Sequence, residues 1–149
     1  MRHGITAVGV GLAAGLLVGC AATMPDNLGP SEGRLAPCPD SPNCVSSFET
    51  DDEHGIEPLQ FNGSTEAAKT RIKEAVAAMP RTTLITEEER YLHFEFRSMI
   101  FRFVDDVEFL FEEDGTIHLR SASRVGYSDL GVNRKRIEEI RTRYNNAEE

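Results

Sequence analysis

Three apolar-rich stretches determine the architecture of this chain: RYLHFEFR (residues 90–97), FRFVDDVEFLF (101–111) and TIHLRSASRV (116–125). In each of them apolar side chains recur at every second position, which is typical of a strand with one face on a core. The turn EEDG at 112–115 joins the last two stretches, and its Asp-Gly pair favours a hairpin. Consecutive strands with short connections therefore predict an antiparallel sheet.

The same alternation predicts which side chains face the core. The inward positions are Leu92, Phe94 and Phe96 in the first strand, Phe101, Phe103, Val107, Phe109 and Phe111 in the second, and Ile117, Leu119 and Val125 in the third. Tyr91, His93, Glu95, Arg97 and His118 fall on the outer face.

Shorter signals complete the predicted fold. Residues 56–61 and 81–87 favour strands, and between them Ser64 or Thr65 can cap a helix that Pro80 ends. Apolar positions recur at helical spacing in that helix and in a second one that begins at about Asn133. The order β-α-β-β-β-β-α predicts an α+β domain with four or five antiparallel strands and two helices on one face.

The N-terminus has the pattern of an export signal. A short basic start precedes an apolar run from about Ile5 to Val18, which is too short to span a bilayer. The run ends in LVGC at 17–20, which resembles the lipobox of bacterial lipoproteins. That resemblance implies cleavage after residue 19 and acylation of Cys20, palmitate included, which would anchor the protein to the cell envelope, facing the periplasm. Because Ala21 follows, rather than aspartate, the outer membrane is favoured where two membranes exist.

The remaining cysteines fit an oxidising compartment. Lipidation of Cys20 leaves Cys38 and Cys44, a pair that predicts one structural disulfide. A redox-active pair or a metal site is the alternative, but five residues separate the cysteines and no histidine lies at a short ligand spacing. We predict no metal and no cofactor.

Size and charge limit the possible functions. We divide the chain into a signal peptide (1–19), a flexible tether (20–37) and one domain (38–147). Removing Arg2 with the signal peptide leaves 15 Lys and Arg against 25 Asp and Glu, a net charge of −10, which disfavours nucleic-acid binding. Between Arg120 and Arg143, however, seven basic residues face three acidic ones. That segment is either a solvated face or an anion-binding surface.

Asp105 breaks the local pattern, because it falls in phase with the phenylalanines of its strand. A carboxylate pointing into an apolar face needs a cation or donors, and we expect Arg124 or Arg134 to pair with it. Ser121 and Ser123 share the inward face of the last strand, where a hairpin would bring them beside Asp105.

Three segments together carry a family resemblance: CPDSPNCVSS at 38–47, FVDDVEF at 103–109 and SASRVGYSDLGVNRKR at 121–136. They are similar to the signatures of domain-of-unknown-function family 1499, in the right order, from about Pro37 to the C-terminus. That family occurs in bacterial envelopes and plastids, often as lipoproteins. The resemblance implies no specific activity.

Three functions remain open for these residues. The first is a binding module in which Arg124, Arg134 and the backbone near Gly131 hold a small or lipid-derived anion. The alternative is a buried polar network without a ligand. The full candidate set comprises Asp105, Asp106, Ser121, Ser123, Arg124, Asp129, Asn133 and Arg134.

The second function is a module that recruits an envelope protein, and the third is an enzyme with Asp105 as general acid or base. The chain has no nucleophile elbow, His-Glu zinc motif or phosphate loop, and His54, His93 and His118 are scattered. We therefore favour a non-enzymatic role.

Overall fold

The structure is a computed structural model that describes residues 23–146. The predicted signal peptide, Cys20 and the last three residues lie outside the described range. The elements are β1 (Cys44–Ser46), β2 (Leu59–Gln60), α1 (Thr65–Ala77), β3 (Thr82–Glu88), β4 (Tyr91–Arg97), β5 (Val104–Phe111), β6 (Thr116–Ser123) and α2 (Val132–Asn146).

All six strands form one antiparallel sheet in the order β1-β6-β5-β4-β3, and β2 pairs with β6 beside β1. This arrangement confirms the predicted α+β fold. The sequence did not predict β1, which pairs Cys44 with Ala122, and it predicted a longer segment at β2. Among the described residues, no helix is long and apolar enough to cross a membrane.

The helices cover one face of the sheet and form the main core with it. Ser64 caps α1 by accepting a hydrogen bond from the Ala67 backbone N–H, and Pro80 follows the end of the helix. The core combines the inward positions of the strands with apolar positions of both helices. Its fully buried members include Ile72, Leu92, Val107, Phe109, Phe111, Ile117, Leu119, Ile137 and Ile140.

The hairpin between β4 and β5 is longer than the sequence predicted. Strand β5 begins at Val104, and Arg102 has a positive φ of 54°, which interrupts the alternation. Phe101 and Phe103 therefore leave the core face and are 73% and 51% exposed. Our prediction that both face the core is wrong, and so is the one for Val125, which lies beyond the end of β6.

The opposite face of the sheet is covered by residues 23–43, here called the N-terminal cover. The backbone N–H of Gly29 donates to Glu108 on β5, and Leu35 is buried against Tyr91 and Leu110. Residues 29–35 of the predicted tether are thus packed on the domain. This cover makes the outer face of the sheet an interior.

A disulfide ties the end of the N-terminal cover to the sheet. Cys38 and Cys44 are bonded, which confirms the predicted disulfide. Because Cys44 lies on β1 and Cys38 lies in the N-terminal cover, the bond fixes the return of the chain from the outer face to the sheet edge.

Candidate functional site

The sheet divides the candidate residues between its two faces. Side chains on a strand alternate in direction, so neighbours in sequence point to opposite sides. Asp105, Ser121, Ser123, Asp129 and Asn133 belong to a network on the helix side. Asp106 and Arg124 meet on the outer face, under the N-terminal cover.

The helix-side network is centred on Asn133, which is fully buried at the start of α2. Its amide oxygen accepts from Ser121 Oγ at 2.6 Å, and its Nδ2 donates to the Asn43 carbonyl and to Ser123 Oγ. Asp129 Oδ2 accepts from the same Nδ2 at 2.7 Å. These bonds hold α2 and the N-terminal cover against β6, so the network has a structural role.

Asp105 is paired with Arg136, a residue outside the predicted set. Arg136 Nη2 donates to Asp105 Oδ2, and Nη1 donates to Asn133 Oδ1 at 2.6 Å. The guanidinium also lies over the Phe96 ring, with 4.8 Å to the centroid. The expected pairing of Asp105 with Arg124 or Arg134 is therefore wrong. Arg124 lies on the outer face of the sheet, and Arg134 donates to backbone carbonyls of the 49–58 loop.

The predicted anion site at the N-terminus of α2 is not assembled. Asp129 already accepts the backbone N–H groups of Gly131 and Asn133, both at 2.8 Å, and so supplies the negative group there. Arg134 instead donates to the backbone carbonyls of Asp52 and Glu53. The recess beside it is lined by acidic residues of the 49–58 loop, which do not suit an anion.

On the outer face, Arg124 is held between two carboxylates. Its Nε and Nη2 donate to the two oxygens of Asp106 at 2.8 and 2.7 Å, and Nη2 also donates to Glu95 at 2.6 Å. His93 Nε2 lies 2.7 Å from Asp106 Oδ1, and Arg97 donates to the second oxygen of Glu95. Asp106 and the His93 ring are almost inaccessible to solvent.

A second ion pair lies beside the first. Glu108, which is fully buried, accepts from Arg120 Nη1 at 3.1 Å, from the Tyr91 hydroxyl at 2.8 Å and from the Gly29 backbone. Three donors from β4, β6 and the N-terminal cover thus stabilise one buried carboxylate. The pair places Arg120 beside Arg124 on the outer face of the sheet.

Burial and pairing shift the pKa values in this cluster. Burial alone would raise the pKa of Asp106, but the hydrogen bonds from Arg124 and His93 outweigh it and hold that pKa below its usual range. The same bonds to Asp106, and those to Glu95, raise the pKa of Arg124 further. Burial and the Glu108 carboxylate raise the pKa of the Tyr91 hydroxyl, which stays neutral.

A pocket of about 360 Å³ opens over this cluster and is here called the arginine pocket. Its lining residues are Pro25, Asn27, Pro37, Cys38, Pro39, Asp106, Arg120, Ala122, Ser123 and Arg124. Arg120 is 5% exposed, and within the described residues its buried Nε has no hydrogen-bond partner. A buried donor without an acceptor is costly, and the two guanidinium groups that line the pocket are suited to an acceptor group of a ligand.

The residues that line the arginine pocket determine which chemistry it can perform. Two buried arginines line the pocket, and each is oriented by a carboxylate. Guanidinium groups bind carboxylates and phosphates in fixed geometry and do not themselves exchange protons near neutral pH. In residues 23–146 no group of three His, Cys, Asp or Glu side chains is placed to hold a metal ion.

Sequence reasoning missed part of this cluster. Tyr91, His93 and Glu95 lie on the outer face, as predicted, but no local pattern indicates that the N-terminal cover buries this face. The sequence indicates Arg120 only as part of a basic segment. The signal that could identify it is the alternation along β6 and the residue after it, which places Arg120 and Arg124 on one face and Ser121 and Ser123 on the other.

Comparison with curated proteins gives no match for this chain. The sequence model of one family, described as "Protein of unknown function (DUF1499)", matches residues 34–143. The match includes all strands, the whole of α1, most of α2, the disulfide and both arginines of the pocket. The chain therefore belongs to the DUF1499 family.

Proposed function

We propose that this protein is a lipid-anchored envelope module that binds a small or lipid-derived anion in the arginine pocket. The observation that carries the proposal is the pair of buried arginine side chains, Arg120 and Arg124, that line one pocket side by side. A ligand oxygen in that pocket would accept charge-assisted hydrogen bonds from these guanidinium groups.

The surroundings of Arg120 suit a phosphate or carboxylate group. Glu108 accepts from Nη1 of the Arg120 guanidinium, whereas Nε has no acceptor among the described residues. Arg124 stands beside it, fixed by Asp106 and Glu95. Because these side chains are already ordered, little rotamer entropy would be lost on binding, which favours affinity.

The size of the pocket restricts the ligand. About 360 Å³ is near the lower end of small-molecule sites, which run from roughly 300 to 1,000 Å³. A phosphate, a small carboxylate or the headgroup of a lipid fits that volume, whereas a whole diacyl lipid does not.

The envelope location is supported by sequence and by the disulfide. The lipobox-like LVGC at 17–20 favours acylation of Cys20. The Cys38–Cys44 bond is typical of proteins outside the reducing cytosol. A module held at the outer membrane surface would meet both lipid headgroups and periplasmic anions.

Thermal stability in the presence of an anion tests the binding proposal. The probes are inorganic phosphate and soluble short-chain phosphatidic acid, which separate a free anion from a lipid headgroup. A bound ligand stabilises the folded state by roughly 2.7 kcal/mol at 100 times its Kd. We expect the melting temperature to rise with one or both probes.

The matched variants remove one ion pair each. Glu108→Gln with Arg120→Gln removes one of the two pocket cations together with its carboxylate partner, so no unpaired buried charge is left. Glu139→Gln with Arg143→Gln removes an exposed pair on α2 and serves as the control. Loss of the thermal shift only in the pocket variant is the expected result. An equal shift in both variants would contradict the proposed site.

A further inference from the structure

Exposed apolar side chains gather at one end of the sheet. This end, here called the apolar tip, consists of the β4–β5 hairpin (98–103) and the β6–α2 connection (124–131). Phe101 and Ile100 are about three-quarters exposed, as is Tyr127, and Leu130 is 86% exposed. Among the described residues, the exposed large apolar side chains outside the tip are Met24, Leu84, Ile85 and Val132, and Val132 directly follows the β6–α2 connection. Large exposed apolar patches usually mark an interaction surface.

The sheet register brings the two parts of the tip together. Arg97 pairs with Val104 at the root of the hairpin, and the Ser98 N–H donates to the Phe103 carbonyl. The Arg124 N–H donates to the Val104 carbonyl, so the connection starts beside the hairpin. Both loops therefore project from the same end of β4, β5 and β6.

The chain also enters the domain at this end. Pro25 and Asn27 line the arginine pocket together with Ser123 and Arg124, at the tip end of β6. Cys20 lies five positions before Pro25, and an extended chain of that length reaches about 17 Å. Strand β5, with eight residues, is about 27 Å long. A lipid on Cys20 would therefore hold the membrane within about 17 Å of Pro25, which lies in the half of the sheet nearer the tip.

The charge around the tip differs from that of the whole protein. The hairpin carries Arg102 and no acidic residue, and Arg97 precedes it, although the chain has a net charge of −9. The acidic residue of the tip is Asp129, which accepts backbone N–H groups at the start of α2. Arg81 and Lys135 line the adjoining groove with Met99, and the acidic residues there are Glu139 and Asp105, which is paired with Arg136. Basic residues beside exposed aromatic side chains are typical of segments that sit in an anionic lipid interface.

We propose that the apolar tip inserts into the surface of an anionic membrane, with Ile100 and Phe101 deepest and Arg97 and Arg102 at the headgroups. The inference deepens the proposed function and rests on its lipid anchor for the orientation of the domain. In that orientation the arginine pocket lies at the membrane-proximal end, where lipid headgroups are the nearest anions.

Tryptophan fluorescence tests the insertion directly, because the chain contains no tryptophan. Phe101→Trp places one probe at the tip, and Glu89→Trp places one in the β3–β4 turn at the opposite end of the sheet. The full chain is reconstituted in vesicles of phosphatidylethanolamine and phosphatidylglycerol, with and without brominated acyl chains. We expect a shift to shorter wavelength and quenching by the brominated lipid at the tip, and neither effect at the turn.

Emission of both probes as in water, with quenching by iodide but not by brominated lipid, would overturn the insertion. A tip probe that is shielded in native envelopes but unquenched in the vesicles would also overturn it and would indicate a protein partner. The mass of the N-terminal peptide reports acylation of Cys20 separately. Quenching at the tip supports insertion whether or not Cys20 carries lipid, so failure of the anchor and failure of the tip are distinguishable.

Discussion

Asp105 and Asp106, adjacent residues on β5, form ion pairs on opposite faces of the sheet. Asp105 pairs with Arg136 of α2, and Asp106 pairs with Arg124, the residue that follows β6. Because successive strand residues point in opposite directions, one Asp-Asp sequence stabilises two separate layers of the domain. The first pair belongs to the network that joins α2 to the sheet, and the second belongs to the arginine pocket.

Removing Asp105 should destabilise the contact between α2 and the sheet. Asp105→Ala leaves Arg136 largely buried without its carboxylate, and breaking such a pair costs about 3–5 kcal/mol. We expect a matching fall in the free energy of unfolding in urea. Asp105→Asn keeps an acceptor for Arg136 and should lose less. An unchanged unfolding midpoint for Asp105→Ala would show that the pair contributes nothing.

Removing Arg124 should lower the free energy of unfolding at least as much as removing Asp105. Arg124→Met removes two hydrogen bonds from the buried Asp106 and one from Glu95, and we expect a loss of about 3–5 kcal/mol. Adding Asp106→Asn removes one of the stranded charges, so the double variant should be more stable than the sum of the single losses. Urea unfolding of the wild type, both single variants and the double variant measures this coupling, and strictly additive losses would contradict the pairing.

The lowered pKa of Asp106 predicts how the contribution of this pair depends on pH. The unfolded carboxyl binds its proton near the ordinary pKa of 3.8, and the folded carboxyl binds it only at lower pH. The ionised pair therefore stabilises the fold fully above pH 3.8 and loses this contribution as pH falls through the folded pKa. Unfolding free energies of the wild type and Asp106→Asn should converge in acid. A difference between these two free energies that widened below pH 3.8 would contradict a lowered pKa of Asp106.

Reduction of the disulfide should loosen the N-terminal cover. Cys38 and Cys44 are six positions apart, and closing so short a loop contributes about 2 kcal/mol in the chain-entropy account. We expect Cys38→Ser with Cys44→Ser to lower stability by about that amount and to speed hydrogen exchange at Gly29. Unchanged exchange at Gly29 would show that the cover is held without the bond.

The sequence predicted the regular part of the fold well, because strict alternation in β4 and β6 and the helical spacing in α1 and α2 are local signals. It failed where burial depends on distant residues. Gly29 and Leu35 lie in a segment without periodicity, yet they bury the polar face of β4 and β5. Nothing local distinguishes such a cover from a tether.

The candidate site was predicted in part for the same reason. The position of Asp105 on the helix face followed from its phase, but its partner Arg136 is thirty-one residues away, on a helix whose rotation the sequence does not fix. Only the structure identifies Arg120 as a candidate ligand-binding residue, because it shows that this arginine lines a pocket and that its buried Nε has no acceptor among the described residues. A two-residue period places a side chain on a face, but it does not say which donors will lack acceptors.

Native mass spectrometry of the full-length protein purified from the cells that express it tests the binding claim most directly. The wild type should carry an additional anionic species, as should the exposed-pair control Glu139→Gln with Arg143→Gln. The pocket variant Glu108→Gln with Arg120→Gln should fold but appear without it. The same bound species on the pocket variant, or none on the wild type, would contradict an anion-binding role for the arginine pocket.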